Sequence, residues 1–252
     1  GDLVAGWMHF FIFWGFAILA IQVIHMFARA FIDEFTLPGL SVGLLGGPYL
    51  LMKDIMQLAV LIAIGIALYR WTVSHPTRLY GFAPAEARLL GESHWEAKLI
   101  LGFIALIMIG GFLYDGGRLV FLDHVEGERA WQPFSVIVAG MLSIGGRGFA
   151  EFASNLGWWV HNIVILVFLN FLPVAKHFHV ITSLPNVFLK KLEPCGALSK
   201  QDLENATSFG ISYINQFTWK QILDLYTCTE CGRCSSHCPA TMSGKPLAPR
   251  QL

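Results

Sequence analysis

Four stretches of about 20 mostly apolar residues decide what this chain can fold into, because a helix of that length crosses the ~30 Å hydrocarbon core of a bilayer. They run from Trp7 to Ala30, Leu50 to Tyr69, Trp95 to Tyr114 and Leu156 to Val180. Inside lipid each backbone N–H and C=O needs a partner within the protein, so each stretch is expected to be an α-helix. The few charges, Lys53, Asp54 and Lys176 among them, sit near span ends, where long side chains reach the interface. Composition agrees. Of 252 residues 55% are hydrophobic and 13% charged, against about 25% charged in soluble domains. A net charge of zero gives no electrostatic reason to expect nucleic acid as a partner.

The segment Pro133–Gly145 is also apolar but too short to span, and reads as an interfacial or re-entrant helix stopped by Gly145–Gly146. Trp7–Ala30 has neither a charged leader nor a small-residue cleavage site, so it reads as a span and not as a signal peptide. The opening at Gly1 and the stop soon after a cysteine cluster read as the ends of an excerpt. Three regions result: a transmembrane domain over 1–181, a linker and helical segment over 182–225, and the start of an iron–sulfur domain over 226–252. Loop 71–94, with Pro76, Gly81, Pro84 and Gly91, reads as an ordered connection. Four spans put both termini on one side. Seven Lys and Arg near the spans fall on that side and five on the other, a weak sign that it is the cytoplasm. Free thiols and oxygen-sensitive clusters favour the same reducing compartment.

Four of the five cysteines form Cys228-Thr-Glu-Cys231-Gly-Arg-Cys234-Ser-Ser-His-Cys238-Pro239. This is the C-x2-C-x2-C-x3-C-P spacing that holds a [4Fe–4S] cluster. Thiolates two residues apart on a tight loop can wrap one cube, and Gly232 lets the backbone come close. A zinc site takes two separated ligand pairs, which this cluster lacks. Cys238 either closes this cluster or serves a second one. Cys195 reads as a free thiol and His237 as a solvated neighbour.

Ionisable groups inside a membrane are costly and mark function, and imidazole is a standard axial ligand of haem iron. Four histidines lie in the spans: His9 and His25 in the first, His161 and His179 in the fourth. On one continuous helix, His161 and His179 would be five turns apart, on one face and about 27 Å along the axis. By depth, His9 pairs with His179 at an inner b-type haem, and His25 with His161 at an outer one. His25 fits less well, because 16 residues turn it about 160° around the helix from His9. The competing reading is that each histidine is hydrogen-bonded within the bundle.

Met8-His9-Phe10-Phe11-Ile12-Phe13-Trp14-Gly15-Phe16, Trp158-Trp159-Val160-His161, Leu172-Pro173-Val174-Ala175-Lys176-His177-Phe178-His179 and Tyr226-Thr227-Cys228-Thr229-Glu230-Cys231-Gly232-Arg233-Cys234 together resemble a membrane oxidoreductase fusion. The front is similar to the gamma subunit of respiratory nitrate reductase, a dihaem quinol-reactive cytochrome b. The rear is similar to the iron–sulfur subunit of heterodisulfide reductase. The whole resembles the electron-transfer-flavoprotein:menaquinone oxidoreductases. That resemblance implies two b-type haems on His9, His25, His161 and His179, a [4Fe–4S] cluster, menaquinone, and electron-transfer flavoprotein as soluble partner. It implies a multi-pass protein of the bacterial or archaeal cytoplasmic membrane, with its tail in the cytoplasm. A preceding membrane helix and a second cysteine motif, usual in the family, do not occur in this sequence. Lys53 and Asp54 are candidates to contact quinone; the plainer reading makes them snorkelling charges. Other readings remain: a heterodisulfide-reductase-like or sulfite-respiration component, or a redox-inert membrane anchor.

Overall fold

The computed structural model describes residues 2–40, 44–74, 95–193, 204, 210–245 and 249. Loop 75–94, with Arg78 and Arg88, and Cys195 lie outside the described residues. Those described contain helices and no strand, and they fall into two compact units that divide at Asn170–Phe171.

The first unit holds four helices long and apolar enough to cross a membrane. They are α1 (Leu3–Ala28), α2 (Gly46–Tyr69, continued by a π-helical turn Arg70–Ser74), α3 (Trp95–Phe121) and α5 (Gly146–Phe171). Between α3 and α5 lies α4 (Pro133–Ser143), an 11-residue apolar helix too short to cross. Asp2 starts α1 by accepting from the Ala5 N–H at 3.1 Å, and Pro133 stands in the first turn of α4, where a missing N–H costs nothing. Gly146, with φ +82°, turns the chain sharply between α4 and α5. Leu19, Val60, Ile64, Leu101, Met108 and Ile165 bring α1, α2, α3 and α5 into one apolar core. Leu119 and Ala139, then Leu142 and Ala150, carry the packing past α4 to the end of the bundle.

The sharpest contact is between α3 and α5. A Cβ on Gly157 would lie 2.5 Å from the Gly110 carbonyl oxygen, and one on Gly110 2.9 Å from the Gly157 carbonyl oxygen. The two backbones therefore touch, as small residues permit where lipid supplies no hydrophobic drive between helices. This crossing positions the side chain one turn further along α5, His161.

The fourth span departs furthest from the sequence reading, at both of its ends. The fourth helix begins at Gly146, ten residues before Leu156, because Arg147, Glu151, Ser154 and Asn155 lower the hydropathy without breaking the helix. It also ends at Phe171. Two 3₁₀ turns follow, Leu172–Val174 around Pro173 and Lys176–Phe178, since proline cannot continue the backbone ladder. His179 opens a new helix in the second unit, α6 (His179–Phe188). His161 and His179 are thus not on one continuous helix, and the shared-face argument for them does not hold.

The second unit continues with a 3₁₀ turn (Ile214–Gln216), α7 (Trp219–Thr227), α8 (Arg233–Ser236) and α9 (Pro239–Met242). Thr218 and Gln221 form a reciprocal cap at the start of α7. Asn186 of α6 accepts from Lys220 of α7.

Candidate functional site

The polar residues near the start of α2 do not snorkel. Lys53 is 1% exposed and Asp54 0%. Lys53 donates to Asp115 of α3 at 2.7 Å and to Gln132 at 3.2 Å, and Gln22 of α1 donates to the other oxygen of Asp115 at 3.4 Å. A buried cation and carboxylate persist in an apolar bundle only when paired and hydrogen-bonded in this way. Asp54 accepts the N–H groups of Phe134 (2.7 Å) and Ser135 (3.1 Å) and the Ser135 hydroxyl (2.6 Å). It caps α4 from a neighbouring helix, satisfying backbone donors that a helix start leaves open. Of the two quinone candidates, only Lys53 lines the cavity at this end of the bundle, with Gln22, His25, Arg29, Asp115 and Glu128.

His25, in the last turn of α1, is buried beside that cavity. Its Nε2 accepts the backbone N–H of Leu37 at 3.1 Å. The ring is edge-on to Phe35 and Tyr49, and the neighbouring Arg29 donates to the Phe35 carbonyl at 2.9 Å. The nitrogen that would face iron is therefore engaged in holding the connection that leads out of α1. A few residues away, the Tyr114 hydroxyl accepts from both Arg29 and Arg118, each at 3.1 Å, and Arg118 pairs with Glu34 at 2.6 Å.

His161 is different. Its Nδ1 lies 2.9 Å from the Ile107 carbonyl. A carbonyl only accepts, so Nδ1 carries the proton and the lone pair sits on Nε2. That Nε2 is buried and has no partner among the described residues. Metal-bound histidines characteristically give their other N–H to a carbonyl or carboxylate, which fixes tautomer and ring orientation. The side chain fits an axial ligand of haem.

The two stand at different points of their helices. His161 lies past the midpoint of α5, counted from Gly146, whereas His25 is in the final turn of α1. The anchors agree: Ile107 holds His161, and Asp115 meets Gln22, three residues before His25. Ile107 and Asp115 are eight residues, about 12 Å, apart along α3. His161 and Gln22 thus meet α3 at different points, while Trp158, three residues before His161, donates to the carbonyl of Met26 beside His25 at 2.9 Å.

His9 sits on an exposed stretch of α1. His179 belongs to the second unit, where its Nδ1 donates to the Lys176 carbonyl at 2.9 Å, again leaving Nε2 as the lone-pair nitrogen. Its ring is 5.5 Å from that of His177.

The four motif cysteines are all free thiols, three exposed and Cys238 half-buried. Cys228 ends α7, Cys234 lies in α8 and Cys238 precedes α9. Glu230 (φ +52°) and Gly232 (φ +74°) both take the left-handed conformation, which coils the run from Cys228 to Cys234. Among the described residues no three His, Cys, Asp or Glu side chains stand close enough to share a metal ion. The donor set itself, four thiols at ferredoxin spacing, suits iron–sulfur chemistry. The Cys238 thiol is held below the ordinary thiol value, chiefly by the Thr241 backbone N–H, with the Ala240 N–H and the Thr241 hydroxyl helping. Sequence reasoning missed the contact between Glu230 of this loop and Lys176, 2.8 Å apart. Two opposite charges 54 residues apart offered no signal for it.

Fold and site together define an all-helical membrane protein with a cysteine-rich tail. Among known proteins, the chain is 34% identical over 256 residues to the "Probable iron-sulfur-binding oxidoreductase FadF" of Bacillus subtilis, a match covering 100% of this chain and 34% of that protein. It is 28% identical over 258 residues to the "EtfAB:quinone oxidoreductase" of Syntrophomonas wolfei, covering 98% of this chain and 34% of that one. It is 41% identical over 56 residues to a "Probable membrane-anchored ferredoxin" of Chromohalobacter salexigens, covering 22% of this chain and 8% of the relative. The chain thus spans about a third of the length of the first two. No family profile matches it, and no solved structure matches it significantly. The relatives' names support a redox protein with an iron–sulfur cofactor, and the four apolar helices support its seat in a membrane.

Proposed function

We propose that this chain is the electron-transfer part of a quinone-linked membrane oxidoreductase, passing electrons between a cytoplasmic donor, electron-transfer flavoprotein, and menaquinone. The carrying observation is His161: a buried imidazole whose Nδ1–H is tied to the Ile107 carbonyl and whose Nε2 has no partner among the described residues. The reading assigns b-type haem to His161 and, at a second level, to His179, whose Nδ1 is held in the same way. It assigns a [4Fe–4S] cluster to Cys228, Cys231, Cys234 and Cys238. His9 is the proposed partner of His179. His25 is kept as a candidate only through rearrangement of its bond to Leu37. When bound, haem and cluster supply one-electron chemistry. The chain's own residues supply ligation, burial and position: the Gly110–Gly157 crossing sets the ring of His161, and α4, capped by Asp54, closes one end of the bundle. Lys53, which lines the polar cavity, is the residue this reading assigns to a quinone head group. The name of the Syntrophomonas wolfei relative, EtfAB:quinone oxidoreductase, supports a flavoprotein-type donor and a quinone as partners.

The test is the reduced-minus-oxidised optical spectrum of the purified protein and of His161→Ala. The reading expects a b-type α-band in the former and loss of about half its intensity, or all of it, in the latter. An α-band of undiminished size in His161→Ala removes His161 as a ligand, and no b-type band in the unmodified protein overturns the reading in favour of a redox-inert anchor.

A further inference from the structure

The second unit contains a link between the cysteine loop and the turn that carries His179, and its polar part runs through Lys176. Lys176 reaches out with its ammonium and donates to the Glu230 carboxylate at 2.8 Å. Glu230 lies between Cys228 and Cys231 and takes the left-handed conformation, φ +52°. With its backbone, Lys176 does something else: its carbonyl accepts the Nδ1–H of His179 at 2.9 Å. The same residue thus grips the loop with its side chain and sets the tautomer and tilt of the imidazole with its main chain.

A second contact runs beside the first. The rings of Phe178 and Tyr226 meet edge-to-face with centroids 6.2 Å apart, and Tyr226 precedes Cys228 by two residues. Further from the cysteines, Lys220 of α7 donates to Asn186 of α6 and to Asp224 at 2.6 Å. Three contacts therefore lie along one seam, from α6–α7 to the loop. Glu230 carries a backbone penalty that glycine would avoid, and a shorter or uncharged side chain there would not pair with Lys176.

From this we infer that Lys176 is a positioning residue: through Glu230 it holds the cysteine loop beside the turn that orients His179. The inference rests on the proposed function, which makes the loop and His179 the two redox-ligand sites of this unit. Neither Lys176 nor Glu230 ligates anything in this assignment. Both side chains are partly exposed, at 31% and 39%, so the pair adds little to global stability. Its effect is local, on the fraction of molecules in which the loop is docked. An exposed pair of this kind contributes up to about 1 kcal/mol, a change of up to about fivefold in that fraction.

The experiment compares the unmodified protein with Glu230→Gln, Lys176→Met, Lys176→Arg and the charge exchange Lys176→Glu with Glu230→Lys. The first readout is cleavage after Arg233, an exposed residue of the loop, by an arginine-specific protease. The second is the rate at which the haem band is reduced when reduced electron-transfer flavoprotein is mixed in. Glu230→Gln and Lys176→Met are expected to be cleaved about two to five times faster, with haem reduction slowed by a similar factor. Lys176→Arg and the charge exchange are expected to restore both. Cleavage at the unmodified rate in Glu230→Gln and Lys176→Met, or no recovery in the exchange, overturns the inference. Absence of any haem band in the unmodified protein instead overturns the proposed function, and the cleavage comparison still decides whether Lys176 holds the loop.

Discussion

In the helical bundle Lys53 finds Asp115 across 62 residues of sequence, Asp54 finds Ser135 across 81, and His161 finds Ile107 across 54. Within the cysteine segment the bonds are short in sequence: Thr218 with Gln221 at the start of α7, Ser236 with Arg233, and Cys238 with Ala240 and Thr241. The bundle is a set of stiff rods whose polar groups are matched only when all the rods are in place. The tail is a run of tight turns that its own sequence shapes, joined to the rest of its unit through Glu230 and Tyr226. A defect in the first should therefore spread, and a defect in the second should stay local.

The largest expected effect tests the first half of that contrast. Replacing Lys53 by Met leaves Asp115 buried without its cation. Removing one partner of a buried pair costs about 3–5 kcal/mol, so the thermal midpoint of the purified protein should fall sharply. Replacing Asp115 by Leu as well should recover most of the loss, because two apolar groups leave no unpaired charge. If Lys53→Met unfolds like the unmodified protein, the pair is not the lock that its burial indicates.

A smaller effect probes the tail. With Cys195, Cys228, Cys231 and Cys234 replaced by Ser, Cys238 should be alkylated with a midpoint at lower pH than a free cysteine. A lowered value means more thiolate at each pH below the ordinary one. Thr241→Val removes the hydroxyl but keeps the dominant backbone N–H, so it should move the midpoint upward only in part and leave the bundle's thermal midpoint unchanged. A midpoint at or above that of free cysteine would show that the turn does not hold the thiolate as described.

The same contrast explains what could be read from the sequence. Hydropathy located all four spanning helices and the short helix α4, because length and apolarity are properties of a segment alone. The ferredoxin spacing was legible for the same reason. The start of α5 was not, since Arg147 and Glu151 look like loop residues until the helix is seen to carry them past the apolar core. The end at Phe171 was written in Pro173, but the apolar residues on either side argued for continuity. Burial of Lys53 and Asp54 was invisible, because it depends on Asp115 and Ser135. The expected depth of His161 followed from the misplaced start, and the pairing of His25 with His161 rested on that depth. What supports the proposed ligand role of His161, a carbonyl 54 residues away that fixes its tautomer, could be found only in three dimensions.

The central claim is that one chain holds both an iron–sulfur cluster and bis-histidine haem. Electron paramagnetic resonance of a single purified preparation tests it most directly. The account predicts low-spin ferric haem signals in the oxidised sample, and a reduced [4Fe–4S] signal after dithionite that disappears in Cys228→Ser, Cys231→Ser and Cys234→Ser while the haem signals persist. A preparation with a cluster signal but no low-spin haem, or with haem signals that vanish together with the cluster in each Cys→Ser protein, would contradict it.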